Sequence, residues 1–102
     1  MSLVLVTLPQ VTVSTSGSKQ RASSSVLSNV EAVYISAPAG NTGAIYIGDS
    51  NVAVGRGIEV AKGTSFTILS PKGEMIDIYN IYIDAATNGD KANITYLKRQ
   101  VG

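Results

Sequence analysis

Between Glu31 and Val52 the chain reads EAVYISAPAGNTGAIYIGDSNV, and its apolar residues recur at every second position. Val33, Ile35 and Ala37 alternate with Tyr34 and Ser36. Asn41-Thr42-Gly43 interrupts, and Ile45 and Ile47 then resume the pattern against Ala44, Tyr46 and Gly48. A period of two sends successive side chains to opposite faces of an extended chain. The stretch therefore predicts two strands joined by a loop, the central hairpin of a small all-β domain.

The rest of the chain follows the same vocabulary. Leu3 to Leu8 is apolar on both faces, so it is either a strand buried on both sides or an arm that finds cover on another chain. Pro9 removes a backbone donor and ends it. Val11 and Val13 make a short strand, followed by the turn Ser14 to Ser18. Lys19 to Val26 alternates weakly and predicts an edge strand or a solvent-facing one. Asp49-Ser50-Asn51 is a turn, Gly55 and Gly57 mark a place where the backbone needs freedom, and Lys62-Gly63 leads into a strand that turns Phe66 and Ile68 inward. Ser70 to Gly73 is a loop. Met75 to Asp84 reads as one long strand with Tyr79, Ile81 and Ile83 on one face and Ile78, Asn80, Tyr82 and Asp84 on the other. A last strand turns Ala92, Ile94 and Tyr96 inward. No stretch has a helical period between caps. The expected architecture is all-β: an antiparallel β-sandwich, jelly-roll-like, of roughly eight or nine short strands with an N-terminal extended arm. Residues 1–9 form the arm or an edge strand, and residues 10–102 form the single sandwich domain.

Composition narrows the chemistry. With 102 residues there is material for one hydrophobic core. Eight Lys and Arg against seven Asp and Glu leave a formal charge of +1, which argues against a nucleic-acid partner, since displacing counterions from phosphate needs a basic stripe. The chain has no cysteine and no histidine, which removes disulfides, thiol catalysis, thiolate metal sites and the commonest metal ligand. No run approaches the ~20 apolar residues that span a bilayer, and Leu3 to Leu8 is too short for a signal h-region with its flanks and lacks a positive n-region. Assembly in the cytosol and no membrane partner are the expectation.

Motifs that suggest chemistry are better explained by turns. Gly40 to Gly43, with Gly48, lacks the Gly-Lys-Ser/Thr ending of a phosphate loop, and Lys62-Gly63-Thr64 has the order reversed. Asp49, Asn51, Asp84, Asn88 and Asp90 are oxygen ligands without calcium-loop spacing, in positions where Asn and Asp belong to turns. Ser65 lies three residues after Lys62, on the opposite face of an extended segment, so that lysine cannot serve it as a base. No catalytic, cofactor-binding or metal-ligating residue is assigned, and no enzyme activity is expected. Tyr34, Tyr46 and Tyr82 occupy positions opposite the inward sets of their strands. Such a row suits a contact surface, because each ring buries much area at little entropic cost. Alternatively the rings line the inner face of the second sheet.

From Val30 to Leu97 the order of features resembles a family of small virion proteins of tailed bacteriophages. The residues that carry the resemblance are Val33-Tyr34-Ile35-Ser36-Ala37 and Asn41-Thr42-Gly43-Ala44-Ile45-Tyr46-Ile47-Gly48-Asp49-Ser50-Asn51-Val52. Gly57, Lys62-Gly63 before Thr64-Ser65-Phe66, Ile81-Tyr82-Ile83-Asp84-Ala85, Asn88-Gly89-Asp90-Lys91 and Ile94-Thr95-Tyr96-Leu97 follow. The resemblance implies a β-sandwich that decorates or cements a capsid, or forms part of a head or tail appendage, usually as an oligomer and without enzyme activity. Its partners would be the major capsid protein and further copies of itself, as a homo-trimer or dimer, on the capsid exterior of the virion. Leu3, Val4, Leu5, Val6 and Leu8, with Tyr34, Tyr46 and Tyr82, are the expected contact residues. A tail or baseplate adaptor, or a head-fibre adaptor, is the nearest alternative; a carbohydrate-binding sandwich that stacks sugars on the tyrosines is the other.

Overall fold

The structure is a computed structural model that describes residues 2–71 and 74–100 of the chain, excepting the Gln100 side chain. The loop expected at Ser70 to Gly73, and the outer ends of the segments assigned to residues 1–9 and 10–102, lie partly outside the described residues. Among the described residues nine strands form, β1 (Ser2–Thr7), β2 (Val11–Val13), β3 (Gln20–Arg21), β4 (Val30–Ser36), β5 (Ile45–Gly48), β6 (Ile58–Val60), β7 (Ser65–Leu69), β8 (Tyr82–Ala85) and β9 (Asp90–Gln100). One 3-10 turn, Ile78–Asn80, precedes β8.

The strands make a β-sandwich of two antiparallel sheets. In the first the order is β1-β9-β4-β7, with β2 also on β9; in the second it is β3-β8-β5-β6. β1 and β2 lie end to end along β9, one opposite Thr95 to Gln100 and the other opposite Asp90 to Ala92, with Pro9 at the break. The inward residues follow the alternation read in the sequence. Val33 and Ile35 of β4 and Ala92, Ile94 and Tyr96 of β9 meet Ile45 and Ile47 of β5 and Ile83 and Ala85 of β8 in one core. Phe66 and Ile68 pack at its margin, as do Val6 and Leu8.

The central pair is not a hairpin. β4 belongs to the first sheet and β5 to the second, and their buried faces oppose each other across the core. The segment between them, residues 37–44, is longer than the two to five residues of most hairpin loops, and hydrogen bonds to the start of β9 pin it across the end of the sandwich. Asn41 bonds both polar groups of the Lys91 backbone, donating to the carbonyl at 2.8 Å and accepting from the N–H at 2.9 Å. The buried Asp90 carboxylate accepts the N–H groups of Thr42 at 2.9 Å and Gly43 at 2.8 Å. Two strands with one-sided apolar patterns bury those patterns equally well side by side in one sheet or face to face in two. The linker's anchorage selects the second arrangement.

The long strand expected from Met75 to Asp84 is also broken. Ile78 and Ile83 are both fully buried, yet their odd spacing would put them on opposite faces of a continuous strand. The 3-10 turn between them, closed by the Asn80 N–H to the Asp77 carbonyl and the Ile81 N–H to the Ile78 carbonyl, resets the phase so that both reach the core. Around Lys19 to Val26 only Gln20 and Arg21 pair as strand; Ala22 is buried, whereas Val26 is exposed. At Gly57 the backbone has φ +133°, and a Cβ there would lie 2.8 Å from the Ile47 carbonyl oxygen, so the strand-to-strand approach of β5 and β6 requires glycine.

Candidate interaction surface

The two sheets differ in what covers their outer faces. Over the second sheet folds the Ser14 to Ser18 turn, whose Gly17 N–H donates to the buried Asp84 carboxylate at 3.0 Å. The Ser16 N–H donates to Asn88 Oδ1 at 2.7 Å. On the same sheet the Arg21 guanidinium lies 3.9 Å from the centre of the Tyr79 ring and 4.7 Å from that of Tyr82, and donates to the Tyr79 carbonyl at 2.6 Å. This stacking holds the short β3 against the turn before β8.

The first sheet has no such cover at its β1 end. β1 pairs with β9 through Leu3↔Arg99, Leu5↔Leu97 and Thr7↔Thr95; β9 pairs with β4 through Leu97↔Ala32 and Thr95↔Tyr34; β4 pairs with β7 through Ala32↔Leu69 and Tyr34↔Thr67. Directly opposed residues share a face, so Leu5, Leu97, Ala32 and Leu69 form one apolar row across the outside of the sheet. Leu5 is 64% exposed and Leu69 71%, whereas Leu97 is half-buried and Ala32, at 2%, is buried. Leu3, 57% exposed, extends the patch at one corner, and a row of Thr7, Thr95, Tyr34 and Thr67 runs beside it. At its other side the patch ends at an ion pair. The register between β4 and β9 slips between Val30 and Ala32, and Glu31, the extra residue, reaches Arg99, whose Nη2 lies 2.6 Å from Glu31 Oε2. That contact is the sole polar partner of this buried oxygen among the described residues. The bulge re-aims one side chain and pairs the charge that borders the patch.

β1 has a second property. The Leu8 N–H donates to the Ile94 carbonyl, which continues the β1–β9 register and fixes its phase. In an antiparallel ladder hydrogen-bonded pairs alternate with pairs whose polar groups point away. Ser2, Val4, Val6 and Leu8 therefore turn their N–H and C=O groups to β9, and Leu3, Leu5 and Thr7 turn theirs to the empty side. That edge contains no charge, no proline and no bulge, the usual devices that prevent further pairing.

The contact residues expected from sequence thus divide. Leu3, Val4 and Leu5 are exposed on β1, while Val6 and Leu8 are anchored to the sandwich's own core. The segment is an edge strand, and not a strand buried on both sides. The three tyrosines do not form a row: Tyr34 is on the outer face of the first sheet at 36% exposure, whereas Tyr46 and Tyr82 are on the second sheet, Tyr46 nearly buried and Tyr82 stacked on Arg21. Burial of one ring and occupation of another leave a single tyrosine face open, which is a poor platform for a sugar. The outward apolar residues Ala32, Leu69 and Leu97 escaped the sequence reading. Four of the five acidic and amide candidates fix backbone: Asp49 accepts the N–H of the fifth, Asn51, at 2.9 Å, and Asp84, Asn88 and Asp90 hold the backbone as described. Among the described residues no three acidic, histidine or cysteine side chains converge, and no helix is long and apolar enough to cross a membrane. A groove of about 420 Å³ runs between β2 and β3 and is lined by Leu8, Val11, Arg21 and Leu27 among others. No protein-family profile, curated protein or solved structure matches the chain.

Proposed function

We propose that this chain is a structural virion protein, a decoration or cement protein that stabilises a bacteriophage head by bridging capsid subunits. The observation that carries the proposal is the open β1 edge beside the apolar row, a surface built for main-chain pairing and close apposition. The strand order supports it as well. With β1 and β2 taken as one interrupted strand, β2-β9-β4-β7 against β3-β8-β5-β6 is the order of a jelly roll, an architecture frequent in capsid proteins. The residues that resemble phage virion proteins lie along β4 to β9, the frame on which β1 is laid.

The mechanism is β-augmentation: Leu3, Leu5 and Thr7 supply main-chain hydrogen bonds to a strand of a neighbouring copy, while the apolar row packs on the capsid surface below. Covering what Leu3, Val4 and Leu5 still expose contributes about 2–5 kcal/mol before ordering costs, at ~1.5–3 kcal/mol for a fully buried side chain. A single contact of that size is weak; copies linked together and engaging adjacent capsid subunits hold through effective concentration. Co-sedimentation of the purified chain with undecorated capsids tests the proposal. Binding that Leu69→Lys reduces, with the sandwich still folded, supports it. No binding to capsids, or binding that ignores Leu69→Lys, dismisses it.

A further inference from the structure

We infer that the open edge of β1 is a self-association site, occupied by β1 of a second copy running antiparallel across a two-fold axis. The inference rests on the reading of β1 as the contact element and names its first partner.

Three features of β1 select this occupant. The first is hydrogen-bond phase. In a two-fold pair within one continuous sheet, residues of the same face must oppose each other, which allows axes at Leu3, Val4, Leu5, Val6 or Thr7. Centring on Leu5 also sets Leu3 against Thr7 of the second copy, so all three residues with free N–H and C=O groups pair reciprocally. Centring on Val6 sets Leu3 against Pro9, which has no N–H, centring on Thr7 sets Leu5 there, and centring on Leu3 pairs neither Leu5 nor Thr7 within β1, which leaves Val4 as the rival axis. The second is the apolar row. With Leu5 on the axis, the row Leu69, Ala32, Leu97, Leu5 of one copy runs straight into Leu5, Leu97, Ala32, Leu69 of the other. The other register puts Leu3 in that place and breaks the row. On the inner face the same centring sets Val4 against Val6 of the second copy, a β-branched cross-strand pair that covers the exposed part of Val4. The third is charge. β1 carries none; of the two cations opposite it on β9, Arg99, opposite Leu3, is paired with Glu31, and Lys98, opposite Val4, stands one strand back from the edge. Two copies of a neutral edge meet without repulsion, whereas a charged edge would oppose its own image.

The remaining sheet edges are poorer candidates. β3 has two residues, β6 has three with Glu59 at its centre, and β2 has three. β7 is uncharged, but it is shorter than β1 and is followed closely by Pro71. A β1-to-β7 contact would also be heterologous and would give rings or open chains instead of a closed dimer. The joined sheet runs β7-β4-β9-β1 and on through β1-β9-β4-β7 of the second copy, with the combined apolar row on one outer face. That doubled row is the platform the proposed capsid contact would use.

The test is sedimentation equilibrium of the purified chain, with three variants. The wild type should sediment at about twice the 10.6 kDa of one chain. Leu5→Lys places two ammonium groups at the axis and should weaken the dimer at least about 30-fold, the scale of a central contact. Leu5→Pro removes an N–H that faces the empty side and not β9, so it should abolish the dimer while circular dichroism and the melting transition stay close to wild type. Leu5→Cys, in a chain that has no cysteine, should form an intermolecular disulfide under mild oxidation, because hydrogen-bonded pairs place Cα atoms ~5.5 Å apart. A wild type that stays monomeric up to about 1 mM, that forms trimers or polymers, or that dimerises equally well as Leu5→Lys overturns the inference. These measurements need no capsid, so failure here is distinct from failure of capsid binding.

Discussion

Replacing Asp90 by alanine isolates what turns an apparent hairpin into two sheets. The carboxylate is 5% exposed and accepts the N–H groups of Thr42 and Gly43, holding the linker of residues 37–44 over the end of the sandwich. Hydrogen bonds to a charged group are each worth about 1.5–3 kcal/mol. Thr42 is exposed and recovers part of its bond from water, so Asp90→Ala should cost about 2–4 kcal/mol. Asp90→Asn keeps one accepting oxygen but sets an amide donor against the other N–H, and should cost about half as much. Urea denaturation measures both, with the slope unchanged if the native and unfolded states keep their compactness. For a domain of this size a 2–4 kcal/mol loss lowers the melting temperature by roughly 10–25 °C. As a control, Asp49→Ala removes a single exposed turn bond and should cost under about 0.5 kcal/mol. The reasoning is refuted if Asp90→Ala costs no more than the control, or if Asp90→Asn is as stable as the wild type.

Other expectations follow from the same structure. Ile94→Ala, in the fully buried centre of β9, should cost about 2–5 kcal/mol by urea denaturation, whereas Leu69→Ala, at 71% exposure, should stay within about 0.5 kcal/mol. Gly57→Ala should destabilise by more than about 1 kcal/mol, since it meets both a positive φ and the Ile47 carbonyl; a neutral result would contradict the close β5–β6 approach. Arg21→Ala, read by thermal melting, should cost about 1–3 kcal/mol through loss of the Tyr79 and Tyr82 stacking and of the bond to the Tyr79 carbonyl, and Arg21→Lys should recover only part of it.

Much of this fold is legible in the chain because a period of two states which residues face inward. Val33, Ile35, Ile45, Ile47, Ala92, Ile94 and Tyr96 are inward both in the alternation and in the core. The same pattern carries no information about which strand lies beside which. β4 and β5 therefore look like a hairpin until Asn41 and Asp90 are seen to bond across 50 and 48 positions of chain. Asp84 and Asp90 read as ordinary turn residues for the same reason, since what distinguishes them is a distant backbone that needs an acceptor. Phase errors arise where a turn interrupts a strand, as at Ile78–Asn80, because alternation cannot be extrapolated through a 3-10 turn. The contact surface was half visible. Leu3 and Leu5 stand out by breaking alternation within β1, and the pairs Ile68-Leu69 and Tyr96-Leu97 break it in the same way; each marks an apolar residue turned outward. That these outward residues align in one row follows from register, which the linear sequence does not contain.

Amide hydrogen exchange along β1 tests most directly whether this edge is where the protein meets its neighbours. Val4 and Val6 donate to β9 and should be protected at every concentration, while Leu3, Leu5 and Thr7 should exchange freely in dilute protein and become protected as copies associate. Identical exchange at odd and even positions, or free exchange at Leu3, Leu5 and Thr7 however concentrated the protein, would contradict the account.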